Sequence, residues 1–277
     1  MASVVRSPVG ARSARFSISG YTVFRSLVLL LLALYFLLPL FAMLEFSTRG
    51  IKGRSAYAWV SVVTDPDIAS GIRTSLELAA ITVVLTLLLL VPTITWARLR
   101  VPRVRRIVEF TCLLPIALPA IALVAGIARV YNTVYNLLGG SPLTLTFVYV
   151  ILALPFAYRS IDAGFGAIDA QTLAEAARTL GYSWPMVIAR VLVPNLRAAI
   201  MSAAVITVAL VLGEFTIASL LNFNTLQVVI NLVGKRDAEI SVAVSLASLL
   251  FGFILLLIIS IAGRGRSVSP LVAEDES

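Results

Sequence analysis

Apolar residues occur along this chain in six long blocks, separated by shorter segments rich in arginine, glycine or proline. Each block holds about 20 residues with few or no charges, and a helix of that length crosses a hydrocarbon core about 30 Å thick. The pattern therefore predicts an all-α, polytopic membrane protein with six transmembrane helices. Their approximate bounds are 26–46, 74–96, 107–129, 143–163, 197–221 and 241–263.

Proline interrupts three of these predicted spans. Pro92 falls in the second span, Pro115 and Pro119 fall in the third, and Pro155 falls in the fourth. A proline within a membrane helix kinks it and frees a backbone carbonyl, which neighbouring helices must satisfy. We therefore expect bent helices in closely packed positions, or hinges, at these sites.

Basic residues are distributed unevenly between the segments that join the spans. With the amino terminus inside, cytoplasmic segments hold fifteen of the 22 lysines and arginines, as the positive-inside rule requires. The turn "ARLRVPRVRR" alone carries five arginines, which we interpret as a topology anchor and not as a nucleic-acid site. The prediction is one six-span membrane domain at 26–263, with cytoplasmic tails at 1–25 and at 264–277, the latter acidic.

Composition narrows the chemistry that this sequence can perform. Of its 277 residues, 60% are hydrophobic and 13% charged, whereas about a quarter of the residues in soluble domains are charged. There is no histidine and a single cysteine, Cys112, which excludes histidine-based catalysis and an internal disulfide. The motif G-x-x-x-x-G-K-[ST] is absent as well, so another chain must hydrolyse any ATP that drives transport. We expect neither a cofactor nor a catalytic site in this chain.

A polar, helix-patterned insert, "EAARTLGYSWPMVIARVLVP", separates the fourth and fifth predicted spans on the cytoplasmic side. Thr172 and Glu175 fit a capping box, and Gly181 fits a left-handed position that ends a helix. The pattern predicts a helix over 173–180 whose apolar face has no evident cover in its own chain. Such a face suits docking into a groove of a partner. The face consists of Leu173, Ala176, Ala177 and Leu180.

The same segment resembles the EAA loop of permease subunits from binding-protein-dependent ABC importers. Glu175-Ala176-Ala177 is followed after three residues by Gly181, and after nine more by Val191-Leu192-Val193-Pro194. The family pattern ends in I-x-L-P, so this chain has valine at both apolar positions. The resemblance covers roughly residues 70–263 and implies a type I importer permease fold. Within a cytoplasmic loop at about 164–196, it implies a coupling helix near 173–182 that sits in a groove of the ATPase. The residues implied to form this ATPase-coupling surface are Glu175, Ala176, Ala177, Leu180 and Gly181.

The resemblance also implies a set of partners. These are a dimer of ATP-binding cassette subunits that hold ATP and Mg²⁺, a second permease subunit (the same chain or a homologous one) and an extracytoplasmic substrate-binding protein. It places the chain in the cytoplasmic (inner) membrane of a prokaryote, in contact with lipid and not with nucleic acid. In this family the first span can wrap around the partner permease.

Three glutamates fall within predicted spans, where an ionisable group is costly and by default a functional hypothesis. Glu77 and Glu109 lie near span ends and near arginines, so we expect interfacial ion pairs there. Glu214 lies well inside the fifth span, with no basic residue within about 16 positions. Two interpretations stay open: Glu214 lines a translocation pathway, or it makes a hydrogen bond between helices.

The run "LGEF" around Glu214 resembles the fifth span of permeases for polyamines, iron(III), sulfate, molybdate and aminoethylphosphonate. That resemblance implies that Glu214 lines the pathway, with Asn222 near its outer mouth. It favours a small polar solute, with a lean toward a polyamine-like one, although permeases for anions share the run. The main alternative is an ion-coupled secondary transporter that uses Glu214 as its ion or proton site. A membrane-embedded enzyme is disfavoured because the sequence offers no convincing nucleophile–base pair.

Overall fold

A computed structural model describes residues 20–50 and 53–263, and these form helices joined by short connections and one small hairpin. The hairpin pairs β1 (Arg49–Gly50) with β2 (Gly53–Arg54) in antiparallel register. The helices are α1 (Gly20–Ser47), α2 (Tyr57–Thr64), α3 (Pro66–Leu99), α4 (Arg105–Leu113), α5 (Ala120–Leu138), α6 (Thr146–Gly166), α7 (Ala170–Thr179), α8 (Trp184–Val187), α9 (Val193–Asn195), α10 (Arg197–Gly213), α11 (Thr216–Leu220), α12 (Leu226–Gly234) and α13 (Ala238–Gly263). Helix α1 already includes residues 20–25 of the predicted amino-terminal tail. Residues 1–19 and the predicted tail at 264–277 lie outside the described residues.

Five of the described helices are long and apolar enough to cross a membrane, and a sixth span results if one sharply bent pair is counted as one. The structure therefore matches a polytopic membrane protein with five or six spans. The first, second, fourth and sixth predicted spans each coincide with a continuous helix. Two predicted spans do not, and the chain is interrupted in both.

The third predicted span, 107–129, is wrong as a single helix. Helix α4 ends at Leu113, a 3₁₀ turn follows at Leu114–Ala117, and α5 begins after Pro119. Two prolines four residues apart remove two backbone donors and their rings clash with the preceding turn, so the α-helical ladder stops. Pro92 and Pro155 instead lie inside the continuous helices α3 and α6.

The fifth predicted span, 197–221, is also interrupted. Helix α10 ends at Gly213 because Glu214 takes an extended conformation, with ψ at 124°. The short helix α11 follows, so the apolar stretch continues as a second, separate helix. Before α10, residues 184–195 form a helical segment with a π-helical turn at Ile188–Leu192, and this segment meets α10 at an angle of 81°.

Helices α3, α6 and α10 pack together as the centre of the structure. The largest fully buried side chains include Tyr149, Tyr158 and Phe165, all on α6. Small residues allow α6 and α10 to approach closely: a Cβ atom added at Gly164 would collide with the Cβ of Ala199. Helix α1 differs from these central helices. It packs mainly against α13, and no residue in its most apolar stretch is buried.

Candidate functional site

The coupling segment begins one turn earlier than its sequence suggests. Asp169 caps α7: its Oδ1 accepts the backbone N–H of Thr172 at 3.2 Å, and its Oδ2 accepts the Thr172 hydroxyl at 2.7 Å. The predicted capping box of Thr172 and Glu175 is therefore wrong. An aspartate already fills the capping position, and Glu175 instead accepts a hydrogen bond from Gln171 at 3.0 Å. The contacts from Thr172 hold the pKa of the Asp169 carboxyl below its usual value.

The carboxyl end of α7 closes as the sequence predicts. Gly181 has φ of +85°, in the left-handed region. The N–H of Tyr182 donates to the carbonyl of Ala177 at 3.1 Å, and the N–H of Gly181 donates to that of Arg178 at 3.0 Å. This pair of bonds is the Schellman arrangement, in which glycine is the preferred left-handed residue. Helix α7 is thus ended sharply on both sides.

The buried face of α7 differs from the apolar face that the sequence predicts. Ala170, Ala174 and Ala177 are buried in one apolar cluster with Val187 and Leu192 of the following segment. The apolar face is therefore covered by the chain itself, because the π-helical turn and Leu192 fold back beneath α7. Ala177, which was predicted as a contact residue, lies in this covered face.

The other predicted coupling residues remain exposed. Glu175, Ala176 and Gly181 are exposed to solvent, and Leu180 exposes 77% of its surface. Helix α7 thus presents a short surface with a carboxylate, small residues and one prominent leucine. We name this surface the coupling surface, defined by Glu175, Ala176, Leu180 and Gly181.

Trp184 connects α7 to the end of α3, a role that sequence reasoning missed. The guanidinium carbon of Arg100 lies 4.6 Å from the centroid of the indole ring, and that of Arg178 lies 5.8 Å from it. Arg178 also donates to the carbonyl of Tyr182 at 2.6 Å. Each cation–π contact is worth about 0.5–1 kcal/mol at an exposed site. A tryptophan three residues after a Schellman glycine, in a segment that carries Arg178 and Arg190, is the available sequence signal.

Asp162 joins the ends of three helices and was also missed. Its Oδ1 pairs with Arg98 at 2.7 Å and its Oδ2 with Arg105 at 3.3 Å, and its backbone carbonyl accepts from Arg98 at 2.8 Å. The Arg98 and Asp162 side chains are only 18% and 19% exposed. Two arginines of the presumed topology anchor thus also bind α3 and α4 to α6. A carboxylate at the predicted cytoplasmic end of a span, on the same predicted side as a five-arginine turn, is the sequence signal for this contact.

The two glutamates near span ends form ion pairs, as expected. Glu77 pairs with Arg73 at 2.8 Å, one turn away on α3. Glu109 pairs with Arg159 of α6 at 3.5 Å and not with Arg105 or Arg106, because α4 turns this carboxylate toward the neighbouring helix.

Glu214 lies at the interruption of the fifth span, where its carboxylate meets three donors. Its Oε1 accepts the backbone N–H of Ile217 at 2.7 Å, and its Oε2 accepts that of Ala218 at 3.2 Å. The Tyr149 hydroxyl, on α6, donates to Oε2 at 2.9 Å. Tyr149 was not singled out from the sequence, although a tyrosine in an apolar span needs a partner for its hydroxyl. We call residues 213–216 the membrane break.

Asn222 ends α11 and is exposed. Its φ is +58°, a left-handed conformation that asparagine tolerates better than most residues. The N–H of Phe223 donates to the carbonyl of Ala218 at 2.9 Å, which closes a Schellman turn around Asn222. The structure thus gives Asn222 a backbone role, and it stands one short helix away from Glu214.

A cavity of about 480 Å³ lies beside the membrane break, between α3, α10, α12 and α13. Its lining is apolar apart from Gln227, Ser245 and Ser248. The amide of Gln227 donates to the carbonyl of Leu212 at 3.0 Å, a group that the end of α10 leaves free.

Comparison with known proteins identifies the family. No curated protein matches the chain. A family described as the binding-protein-dependent transport system inner membrane component matches residues 90–267. That match covers the coupling surface, Asp162, Trp184 and the membrane break, and the apolar helices agree with it. The chain belongs to the family of inner-membrane permease components of binding-protein-dependent ABC transport systems.

Proposed function

We propose that this chain forms part of the solute path of an ATP-driven importer and receives the movement of a separate ATPase through the coupling surface. The observation that carries the proposal is the form of α7. It is capped by Asp169, closed at Gly181 and packed on its own core, so it is a rigid helix that presents Leu180 outward. A rigid helix with an exposed apolar residue fits a groove in a partner.

The contacts behind α7 offer a route for its movement. Trp184 joins α7 to the end of α3 through Arg100. Asp162 joins the ends of α3 and α4 to α6 through Arg98 and Arg105. Closure of an ATPase dimer against the coupling surface would therefore displace several spans together, between inward-open and outward-open arrangements.

We assign the membrane break, which contains Glu214, to the solute path, with Asn222 beside it. Interrupted backbone at membrane depth is tolerated where it is buried in protein or lines a water-filled cavity. The solute is a small polar molecule, with a polyamine-like one favoured by the resemblance of this region. The full importer comprises an ATPase dimer that binds ATP and Mg²⁺, a second permease and a binding protein outside the cytoplasmic membrane of a prokaryote. An ion-coupled carrier that uses Glu214 is less well supported, because it has no need of an ATPase-coupling surface.

The test is co-purification of an ATPase with the tagged chain from its native membrane, followed by mass spectrometry of the intact complex. We expect two ATPase copies with the parent chain. Leu180→Asp, and separately Glu175→Arg, should weaken the association about thirtyfold or more, the loss expected of an interface hot spot.

Leu137→Asp is the matched control, because Leu137 is 78% exposed, close to the value for Leu180, but ends α5 on the predicted outer side. This variant should retain the ATPase. Absence of an ATPase from the parent complex, or equal retention by Leu180→Asp and Leu137→Asp, would contradict the proposal.

A further inference from the structure

The membrane break leaves unpaired backbone groups at two helix ends. The last carbonyls of α10 and the first amides of α11 have no partner within their own helices. At membrane depth such groups need partners from the protein or from water in a cavity. The side chains that supply partners here therefore help to hold the interruption in place.

Side chains of opposite chemistry supply partners at the two helix ends. On the α11 side, the carboxylate of Glu214 accepts the N–H groups of Ile217 and Ala218. On the α10 side, the amide of Gln227 donates to the carbonyl of Leu212. The Glu214 carboxylate, which can only accept, thus binds N–H donors, and the Gln227 amide donates to a carbonyl acceptor.

Tyr149 connects this arrangement to α6. Its side chain is completely buried, and its hydroxyl donates to Glu214 Oε2 at 2.9 Å. Both carboxylate oxygens of Glu214 therefore already accept donors from the protein. Helix α11 has only five residues, and the Glu214 carboxylate caps its first amides. Its amino terminus is therefore a capped chain end and not a ligand site.

We propose that Glu214 and Tyr149 are positioning residues: Glu214 holds the membrane break in shape through the α11 amides, and Tyr149 makes the break move with α6. Glu214 acts on the backbone and does not need to contact the solute. The inference rests on the proposed function, which assigns the break to the solute path.

The test uses the assembled complex in nanodiscs of phosphatidylethanolamine and phosphatidylglycerol, with no solute added. Thr216, exposed at the start of α11, is replaced by cysteine and labelled with a membrane-impermeant maleimide. The labelling rate is compared between the nucleotide-free complex and the complex trapped with ATP and vanadate. The same chain without Thr216→Cys gives the background from Cys112, which is buried.

We expect the two states to label at different rates in the parent. Tyr149→Phe should change the ratio of these rates about tenfold, the equilibrium equivalent of one hydrogen bond to a charged acceptor. Glu214→Gln should change it at least as much, because an amide cannot accept at both of its terminal atoms. Tyr131→Phe is the matched control, since it removes another buried tyrosine contact, to Thr144 at 2.6 Å, and leaves the three hydrogen bonds of Glu214 in place.

The outcomes are separable. A ratio in Tyr149→Phe and Glu214→Gln equal to that of the parent would overturn the proposal, and it is the result expected if Glu214 serves only to contact solute. Labelling of the parent that does not respond to nucleotide would overturn it as well. If the parent complex purifies without ATPase subunits, the proposed function has failed, and this is known before any labelling is done. If Glu214→Gln does not assemble, the comparison of Tyr149→Phe with Tyr131→Phe decides, because Tyr149→Phe leaves both amide contacts of Glu214 in place.

Discussion

At the scale of single residues, backbone conformation decides what Gly181 can be replaced by. A Cβ atom added at Gly181 would meet nothing within 4 Å, but its φ is +85°. Holding an L-residue in that conformation costs about 1–2 kcal/mol. Gly181→Ala should therefore lower the thermal unfolding midpoint of the complex and increase hydrogen exchange in α7, and Gly181→Asn should do so less.

Gly166 provides the control for this prediction. It also has open space around its Cβ position, but its φ lies outside the left-handed region. Gly166→Ala should leave the midpoint unchanged or raise it slightly. Equal losses for Gly181→Ala and Gly166→Ala would show that backbone strain is not the cause.

Asp169 makes the start of α7 sensitive to acid. Because its folded-state pKa is lowered by Thr172, its contribution to stability is complete above its ordinary pKa of about 4. That contribution is lost as the pH falls through this value toward the lower folded-state pKa. Hydrogen exchange of α7, corrected for its intrinsic pH dependence, should therefore increase between about pH 5 and pH 3.

Asp169→Asn separates capping from titration, since asparagine caps a helix without ionising. Its exchange should show a much weaker pH dependence over the same range. Glu175→Gln, at an exposed position on the same helix, should keep the dependence of the parent. A full pH dependence in Asp169→Asn would refute the assignment.

At the scale of elements, the ion pairs around Asp162 join the ends of α3 and α4 to α6. Asp162→Asn should destabilise the protein by about 3 kcal/mol, because it leaves Arg98 partly buried without a counter-charge. Unfolding by SDS in mixed micelles measures the loss. Glu77→Gln, which breaks a pair on the exposed side of α3, should cost less than about 1 kcal/mol. Similar losses in the two variants would indicate that burial does not strengthen the Asp162 contacts.

Hydrophobic periodicity predicts the existence of most helices but not their interruptions. The apolar stretch at 197–221 has no proline, and the carboxylate at its break is bound by Tyr149, 65 positions earlier in the chain. The break at Pro115 and Pro119 had a local signal, the two prolines themselves. The prediction of one continuous helix gave more weight to the length of the apolar block. Gly181 was predictable because a Schellman turn depends on neighbouring residues alone.

At the scale of the whole molecule, pairings distant in sequence were beyond prediction. Asp162 meets Arg98 across 64 positions, and the buried face of α7 is rotated from the predicted apolar face because Leu192 packs beneath it. Composition, by contrast, predicts the membrane class, since it depends on a sum along the chain. The resemblance to the permease family was visible in the EAA-like segment, because that motif is local in sequence. No residue in the most apolar stretch of helix α1 is buried. Lipid or another subunit must therefore cover this helix.

The membrane break also has a consequence for how the protein is made. Residues 197–221 carry no charged side chains except Arg197 and Glu214, and they are long enough to enter a bilayer as one straight helix. The bend therefore belongs to a later stage, when helices already in the membrane find one another. Tyr149 is synthesised before Glu214 because it comes first in the chain. The hydroxyl that binds Glu214 is therefore present before the glutamate is made. The order of synthesis thus supplies the partner before the segment that needs it.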